Sequence, residues 1–397
     1  MTNPNPVFKV PLSSPDLTDL EREAVLDVLN TRHLSMGPHY LAFEQAIADA
    51  VGAKHALAVS SGTTGLHLCI RAADIQTGDL VLTTPFSFMA STNAILYEKA
   101  IPVFVDVEPV TGNIDVQQLA QAAADLAAGG EVAKKWLPKK GAEDHGPLKA
   151  ILPVDVFGQP AEMDAVRKIA DDYNLVIIED SCEALGAEYN GRKAGMLGDM
   201  GVFAFYPNKQ ITTAEGGMIV TDNDDYAEMM RAMRNQGRAP GDTWLQHSYL
   251  GYNYRMDELS AVLGEVQMTR LDELLEKRAQ VAEWYNQRLG DLRMVEIPQV
   301  VHSTTRMSWF VYVIRVVEGI DRDAFIPRLA EAGIPARPYF APIHLQLYMM
   351  DMFGYQPGDY PVTEDLGNRG IALPFSSVMT EEQVEIVCEV LGNLLAG

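Results

Sequence analysis

The chain has 397 residues, of which 47% are hydrophobic and 21% are charged, and its formal net charge is −23. This length is more than twice that of a typical single domain, so we expect one large and one smaller domain around well-buried cores. The negative charge argues against nucleic-acid binding, which needs clustered Lys and Arg side chains to neutralise phosphates.

The three cysteines, Cys69, Cys182 and Cys388, are far apart and form no C-x-x-C pair. This spacing argues against a disulfide framework and a structural zinc site, and we expect no bound metal. No apolar run approaches the roughly 18 residues that span a bilayer. The polar, proline-containing segment 1–15 lacks the pattern of a secretory signal. We therefore expect a cytoplasmic protein with no membrane partner.

Short apolar runs alternate with amphipathic stretches between residues 55 and 222. This alternation predicts an α/β fold in which helices cover both faces of a mostly parallel sheet. The predicted strands lie at 57–60, 80–84, 103–106, 150–155, 176–180, 202–205 and 218–221. The predicted helices between them lie at 65–73, 91–98 and 161–173.

The second half of the chain contains a long helical pattern and a further α/β region. Before it, residues 117–148 contain a Gly-Gly pair and four lysines, which favours a helix followed by a solvated surface insertion. The pattern at 257–289 predicts one unbroken helix of about 50 Å. A strand at 310–316 and helices at 322–332 and 381–395 follow. The predicted domains are 1–265 for the large domain, including the insertion, and 266–397 for the small C-terminal domain.

Ligands of such sheets bind where loops leave the carboxyl ends of the strands, and the sequence VSSGTTG at 59–65 lies at one of these ends. The exposed amides of a Gly-rich turn and the positive end of a helix suit a phosphate, and Thr63 and Thr64 add hydroxyl groups. Taken alone, an ordinary strand-to-helix turn that uses Gly62 for its geometry explains the motif better.

Two charged residues follow other predicted strands. Asp180 ends the apolar run IIED, where a carboxylate can hold a pyridine nitrogen protonated, although a helix-capping or turn aspartate is equally compatible. Lys209 follows FYPN in a turn with aromatic and glycine neighbours, where a partly desolvated amine can form an imine. Most isolated lysines are solvated surface groups. Phe88, in PFSF after another strand, can stack on a planar ring or belong to the core.

The ordered set SSGTTGLHL, PFSFMAST, IIEDSCEALGA, FAFYPNKQITTAEGGMIVTD and GYNYRMDEL resembles the DegT/DnrJ/EryC1/StrS family of sugar aminotransferases that depend on pyridoxal 5′-phosphate (PLP). The similarity extends to 37–44 upstream and to 342–344 and 372–374 downstream, so that it covers nearly the whole chain apart from 117–148. It implies the aspartate-aminotransferase fold (PLP fold type I), with a seven-stranded sheet and a smaller C-terminal domain. It also implies a homodimer with active sites at the subunit interface.

The resemblance assigns roles to individual positions. Lys209 would form the Schiff base, Asp180 would pair with the pyridine nitrogen, and Phe88 would stack on the ring. The phosphate would be bound by residues of the turn and by an asparagine of the neighbouring subunit: Gly62, Thr63, Thr64 and Asn253. Residues expected near the sugar are Tyr206, Tyr339 and His344, and a surface histidine is an equally good interpretation of the last.

Three positions depart from the family pattern. Glu183 stands where many members have Gln or His near the cofactor's phenolic oxygen, and a carboxyl group there must be protonated to donate a hydrogen bond. Ala204 replaces a frequent phosphate-binding Ser, and Asp155 replaces a frequent His. These changes concern the surroundings of the cofactor and leave the lysine in place.

The activity that the resemblance implies is amino transfer from glutamate to a nucleotide-linked keto-sugar, for which a 4-keto-6-deoxyhexose is the expected type. The reaction would follow a ping-pong scheme with 2-oxoglutarate as first product, in amino-sugar, polysaccharide or glycoside biosynthesis. One alternative is a PLP-dependent sugar dehydratase, whose family members carry His at the position of Lys209. Another is a non-catalytic regulatory or binding protein on the same scaffold. A dinucleotide-dependent oxidoreductase is disfavoured because no G-x-G-x-x-G follows a strand.

Overall fold

The computed structural model describes residues 8–396. Its strands are β1 (His55–Val59), β2 (Leu80–Thr83), β3 (Ile101–Phe104), β4 (Leu148–Leu152), β5 (Val176–Asp180), β6 (Glu188–Tyr189), β7 (Arg192–Lys193), β8 (Met200–Ala204), β9 (Gly217–Thr221), β10 (Val295–Glu296), β11 (Thr304–Arg306), β12 (Tyr312–Val316), β13 (Arg337–Pro338) and β14 (Gly370–Leu373). Its helices are α1 (Asp19–Leu29), α2 (Pro38–Val51), α3 (Gly62–Ala72), α4 (Met89–Tyr97), α5 (Val116–Ala128), α6 (Gly130–Lys134), α7 (Met163–Tyr173), α8 (Asp224–Arg234), α9 (Glu258–Thr269), α10 (Leu271–Leu289), α11 (Arg322–Glu331), α12 (Leu347–Phe353), α13 (Pro361–Arg369) and α14 (Glu381–Ala396). Single 3-10 turns lie at Val156–Gly158 and Ile343–Leu345.

The large sheet has seven strands in the order β1-β9-β8-β5-β4-β2-β3. Strands β2, β3, β4, β5 and β8 run parallel, and β9 is antiparallel to both of its neighbours, β1 and β8. Alternate side chains of these strands enter cores on opposite faces, one built with α3, α4 and α8 and the other with α2, α5 and α7. The seven predicted strands and the mostly parallel α/β arrangement are confirmed. Strands buried on both faces explain why the runs are continuously apolar.

A second core lies around the antiparallel sheet β10-β12-β14-β13 and includes side chains of α10, α11 and α14. We propose this core as the smaller domain. The predicted boundary at residue 265 falls inside α9. The division is also not a simple cut in the chain, because β11 pairs with β6 and the buried side chains of α12 pack on the core of the large sheet.

The prediction of one unbroken helix at 257–289 is wrong. Helix α9 ends at Thr269 and α10 begins at Leu271, because Arg270 leaves the helical conformation, with φ of −112° and ψ of 8°. The Arg270 guanidinium is buried and donates 2.8 Å hydrogen bonds to Asp16 and Glu21. The helical periodicity carries no sign of this ion pair with a segment some 250 positions away.

Helix α5 ends at Ala128 and is followed by Gly129, whose φ of 70° favours glycine, and the short α6 and an irregular segment lead to β4. Within residues 8–396, no helix has the length and apolar character that a membrane span requires.

Candidate active site

A cavity of about 410 Å³ opens at the carboxyl ends of the parallel strands. Its walls come from the turn after β1, the loop after β2, the end of β5, the turn after β8 and two later segments. The lining residues are Ser61, Gly62, Thr63, Ser87, Phe88, Ala90, Val154, Asp180, Cys182, Glu183, Ala204, Tyr206, Asn208, Lys209, Glu215, Gly216, Phe310, Tyr339 and Phe340. The size and position are those expected of a small-molecule site in an α/β fold.

The turn after β1 forms one end of the cavity. Ser61 caps α3 by accepting the amide of Thr64 at 3.1 Å, while the amides of Gly62 and Thr63, at the first two helical positions, have no intrahelical acceptor. A Cβ on Gly62 would lie 2.8 Å from both the Ala204 Cβ and the Cys182 Sγ. Glycine is therefore required where the start of α3 packs on β8, and the turn presents amides to an anion.

Thr64 does not line the cavity, in contrast to its predicted role in phosphate binding. Its hydroxyl accepts the amide of Ser61 at 3.1 Å and donates to the Ser61 carbonyl at 2.8 Å. The reciprocal cap of α3 thus occupies this side chain, and Ser61, which the motif analysis did not single out, lies at the cavity in its place.

Asp180 is the last residue of β5 and is buried. Its Oδ2 accepts the hydroxyl of Ser91 at 2.6 Å, and its Oδ1 accepts the amide of Cys182 at 3.2 Å. The Ser87 hydroxyl lies 2.9 Å from that of Ser91 and donates to it, because Ser91 gives its own proton to the carboxylate. The two serines, one just before α4 and the other in its first turn, therefore fix the orientation of the carboxylate. The sequence analysis did not single out these serines, and their spacing of four residues is the one signal that could have indicated them.

Lys209 lies in the turn after β8, with its side chain only 12% exposed. Its Nζ is 3.5 Å from Oε1 of Glu183 and 3.8 Å from the centroid of the Phe310 ring. A ring face at this distance attracts a cation. The lysine is thus held between a carboxyl group and an aromatic face inside the cavity, as an imine-forming amine requires, and is not a solvated surface group.

Glu183 is buried, and its Oε2 accepts the amide of Phe157 at 2.9 Å. Burial raises the pKa of Glu183, and the charge of Lys209 partly opposes this shift.

Asp155, another departure from the family pattern, lies outside the cavity lining and accepts the Ser181 hydroxyl at 2.6 Å. Burial and the neighbouring Glu179 raise the pKa of Asp155 well above its usual range.

Phe88 and Tyr206 lie at the mouth of the cavity, where they are 67% and 54% exposed. Tyr339 and Phe310 lie on its walls. Phe310 and Asn208 also line the cavity, but no sequence pattern indicated them. Phe310 lies in a segment about 100 residues beyond Lys209, and Asn208 is a single polar residue in a turn.

Besides Thr64, two further predicted residues are not brought to the cavity of this chain. His344 is wholly buried in a 3-10 turn, where its Nε2 lies 2.9 Å from Glu364 and burial lowers its pKa. Neither a sugar contact nor a surface position agrees with this placement, which results from packing against Tyr355 and Tyr360. Asn253 has an exposed side chain outside the cavity.

The residues present fit PLP. The amides of the Gly62 turn suit a phosphate, the fixed carboxylate of Asp180 suits a protonated ring nitrogen, and the amine of Lys209 suits an aldehyde. Fold and site together define the class: an aminotransferase-type enzyme of PLP fold type I.

Over residues 15–392 the chain matches the DegT/DnrJ/EryC1/StrS aminotransferase family, and it belongs to that family. It is 37% identical to a GDP-perosamine synthase of Caulobacter vibrioides, with 98% of each chain covered. Among solved structures it resembles Helicobacter pylori PseC, an aminotransferase involved in the biosynthesis of pseudoaminic acid, with a TM-score of 0.86, 28% identity, and 98% and 100% of the two chains covered. It also resembles S. venezuelae DesV, solved with a ketimine intermediate, with a TM-score of 0.85, 27% identity, and 97% and 98% covered. The family assignment and the PLP cofactor expected from the motifs are confirmed.

Proposed function

We propose that the protein transfers an amino group from glutamate to a nucleotide-linked keto-sugar, of which a 4-keto-6-deoxyhexose is the expected type. The observation that carries this proposal is the placement of the Lys209 amine, the Asp180 carboxylate and the Gly62 turn around one cavity. The similarity to a GDP-perosamine synthase and to PseC supports a nucleotide-sugar substrate.

When bound, PLP supplies an electron sink for the substrate's carbon. Asp180 holds a proton on the ring nitrogen, because an adjacent carboxylate favours the charged form. The Lys209 Nζ removes the α-proton of the amino donor and returns a proton in the next step, as a single base within reach of both positions.

Glu183 lies at the same cavity, and its burial raises the pKa of the carboxyl group. Its burial favours the neutral carboxyl group, which can donate a hydrogen bond to an oxygen, whereas a carboxylate would repel a phenolate. The Phe157 amide donates a hydrogen bond to Oε2 of Glu183 and so fixes the orientation of the carboxyl group.

The charges that a single chain places in the cavity lining do not suit the negative charge of a nucleoside diphosphate. In the described part of the chain, residues 8–396, the cavity lining contains one cationic side chain, that of Lys209, and three acidic ones, those of Asp180, Glu183 and Glu215. We therefore propose a homodimer in which the partner subunit completes each site. Asn253 suits this role, because main-chain bonds from Ser60 to Tyr254 and from Tyr252 to Met233 hold its loop while its side chain stays exposed.

Mixed dimers test this shared site. Lys209→Ala and Asn253→Ala homodimers should each lose activity, whereas a one-to-one mixture assembled by co-expression should recover about a quarter of the wild-type rate. Half of the dimers in such a mixture are mixed. In each mixed dimer, one of the two sites combines an unsubstituted Lys209 of one chain with an unsubstituted Asn253 of the other, so about a quarter of all sites are active. Activity is measured on the whole mixture and on mixed dimers isolated through differently tagged chains, which should reach about half of the wild-type rate. Molar mass by light scattering should be twice 43.7 kDa.

A mixture of Lys209→Ala with Lys209→Arg is the control and should show no recovery. Absence of recovery with Asn253→Ala, or a molar mass of 43.7 kDa, would contradict the shared site.

The reaction itself is tested with glutamate and a panel of GDP-, UDP- and dTDP-linked keto-sugars, with product identified by mass. We expect a gain of one amino group on a 4-keto-6-deoxyhexose and parallel lines in double-reciprocal plots, since the first product leaves before the sugar binds. Intersecting lines, or turnover of no sugar in the panel, would refute the proposed reaction.

A further inference from the structure

Arg278, on α10, is a fully buried cation that lies behind the cavity and not in its lining. Its Nη1 donates to the carbonyls of Trp309 and Phe310, at 3.1 Å each. Its Nη2 donates to the carbonyls of Asn208, at 3.1 Å, and Lys209, at 2.5 Å. The guanidinium therefore bridges two segments about 100 residues apart, and both segments contribute to the cavity.

These four bonds all end on main-chain carbonyls, and within residues 8–396 none of the Arg278 hydrogen bonds reaches a carboxylate. Burial without a carboxylate partner lowers the pKa of Arg278 to about 10. An isolated cation is costly to bury, so its retention requires these acceptors. Conversely, four converging carbonyl oxygens repel one another unless a forked donor lies between them, which a guanidinium provides and an ammonium does not.

The bridged segments hold the reactive amine and the ring that covers it. Lys209 follows Asn208 directly, and the Phe310 ring lies 3.8 Å from its Nζ. The place of the amine in the cavity thus depends on the separation of the two main-chain segments, which Arg278 sets. Helix α10 also contributes Leu274 to the core beside the large sheet and Val281 to the second core, so the bridge lies where the two cores meet.

We propose that Arg278 is a positioning residue that holds the Lys209 and Phe310 segments together, so that the lysine amine meets the coenzyme's aldehyde in a reactive geometry. This inference rests on the proposed role of Lys209 as the imine-forming residue. In that step the amine nitrogen bonds to the aldehyde carbon, and the aldehyde oxygen leaves as water. Arg278 touches neither reacting atom and acts through the main chain.

The test compares Arg278→Met and Arg278→Lys with wild type and with Arg288→Met. Arg288 lies on the same helix and forms an ion pair with Glu381 at the surface, so its substitution controls for loss of an arginine from α10. Coenzyme-free protein is mixed with PLP, and samples are reduced with borohydride at timed intervals. Hydride addition turns the imine into a stable secondary amine, which peptide mass spectrometry quantifies at Lys209.

We expect labelling at Lys209 to slow on the order of tenfold or more in Arg278→Met, because small displacements of a reacting group have large effects on rate. Arg278→Lys should be intermediate, and Arg288→Met should equal wild type. The labelling rates are compared at a temperature at which thermal unfolding curves show every variant to be folded.

Labelling of folded Arg278→Met at the wild-type rate would overturn the inference. If that variant does not fold, Arg278→Lys decides by the same measurement, and a wild-type labelling rate in it would also overturn the inference. Absence of a Lys209 adduct in wild type is a different outcome, since it would refute the proposed role of the lysine itself.

Discussion

Replacing Lys209 by alanine is expected to abolish amino transfer, with a loss of roughly 10⁴-fold or more, since the amine is both the proposed imine-forming group and the proton carrier. The fold should persist, because the side chain occupies a cavity wall and is not part of an apolar core. Absorbance of the PLP-loaded protein and product formation measure the two consequences. Lys209→Arg is the matched variant, since it keeps a cation beside Glu183 but cannot form the imine. Retention of even a tenth of the activity in either variant would show that another group carries the chemistry.

The same substitution has an expected effect on stability. Burial raises the pKa of Glu183 from its usual value of 4.5, and removing the Lys209 charge raises it further. A carboxyl group whose folded-state pKa is raised stabilises the fold below its unfolded pKa, and the stabilisation is lost as pH rises through the folded pKa. The free energy of unfolding of Lys209→Ala should therefore keep falling to higher pH than that of wild type. The free energy of unfolding of Lys209→Arg, measured by chemical denaturation, should show the same pH dependence as that of wild type.

Replacing Asp180 by asparagine is expected to lower the turnover number on the order of 10²- to 10⁴-fold, because a neutral amide no longer holds the ring nitrogen protonated. The change is nearly isosteric, and the amide can still accept one and donate one hydrogen bond where Ser91 and the Cys182 amide now bind the carboxylate. PLP binding should persist. Single-turnover absorbance changes after adding glutamate measure the slowed proton transfer.

Asp199→Asn serves as the control for Asp180→Asn. Asp199 accepts the amide of Ile177, near the opposite end of the same strand, and pairs with Arg167 far from the cavity. Its substitution should leave turnover unchanged. Equal single-turnover rates for wild type and Asp180→Asn would exclude the proposed role of this carboxylate.

The strands of the large sheet were predictable because each is buried on both faces and therefore has an unbroken apolar pattern. The functional residues that follow them were predictable for a related reason: the carboxyl ends of parallel strands meet at one edge, so Gly62, Asp180 and Lys209 had to lie near one another. The family resemblance then gave each of them an expected partner on the coenzyme.

Other features depend on contacts that no local pattern records. The break at Arg270 results from a buried ion pair with Asp16 and Glu21, and the burial of His344 results from packing against tyrosines later in the chain. Thr64 was expected at the phosphate because hydroxyls suit anions, but the local geometry of the cap engages its side chain instead.

By itself, the sequence determined the α/β fold and the edge of the sheet at which the site lies, since these follow from periodicity. The resemblance of its local motifs to a known family indicated the family and the PLP cofactor. The tertiary structure alone decided which side chains surround the lysine amine: Glu183 on one side, the Phe310 ring on the other, and Arg278 behind both. The physical reason is that these contacts join segments up to about 100 residues apart, and only tertiary packing fixes their distances.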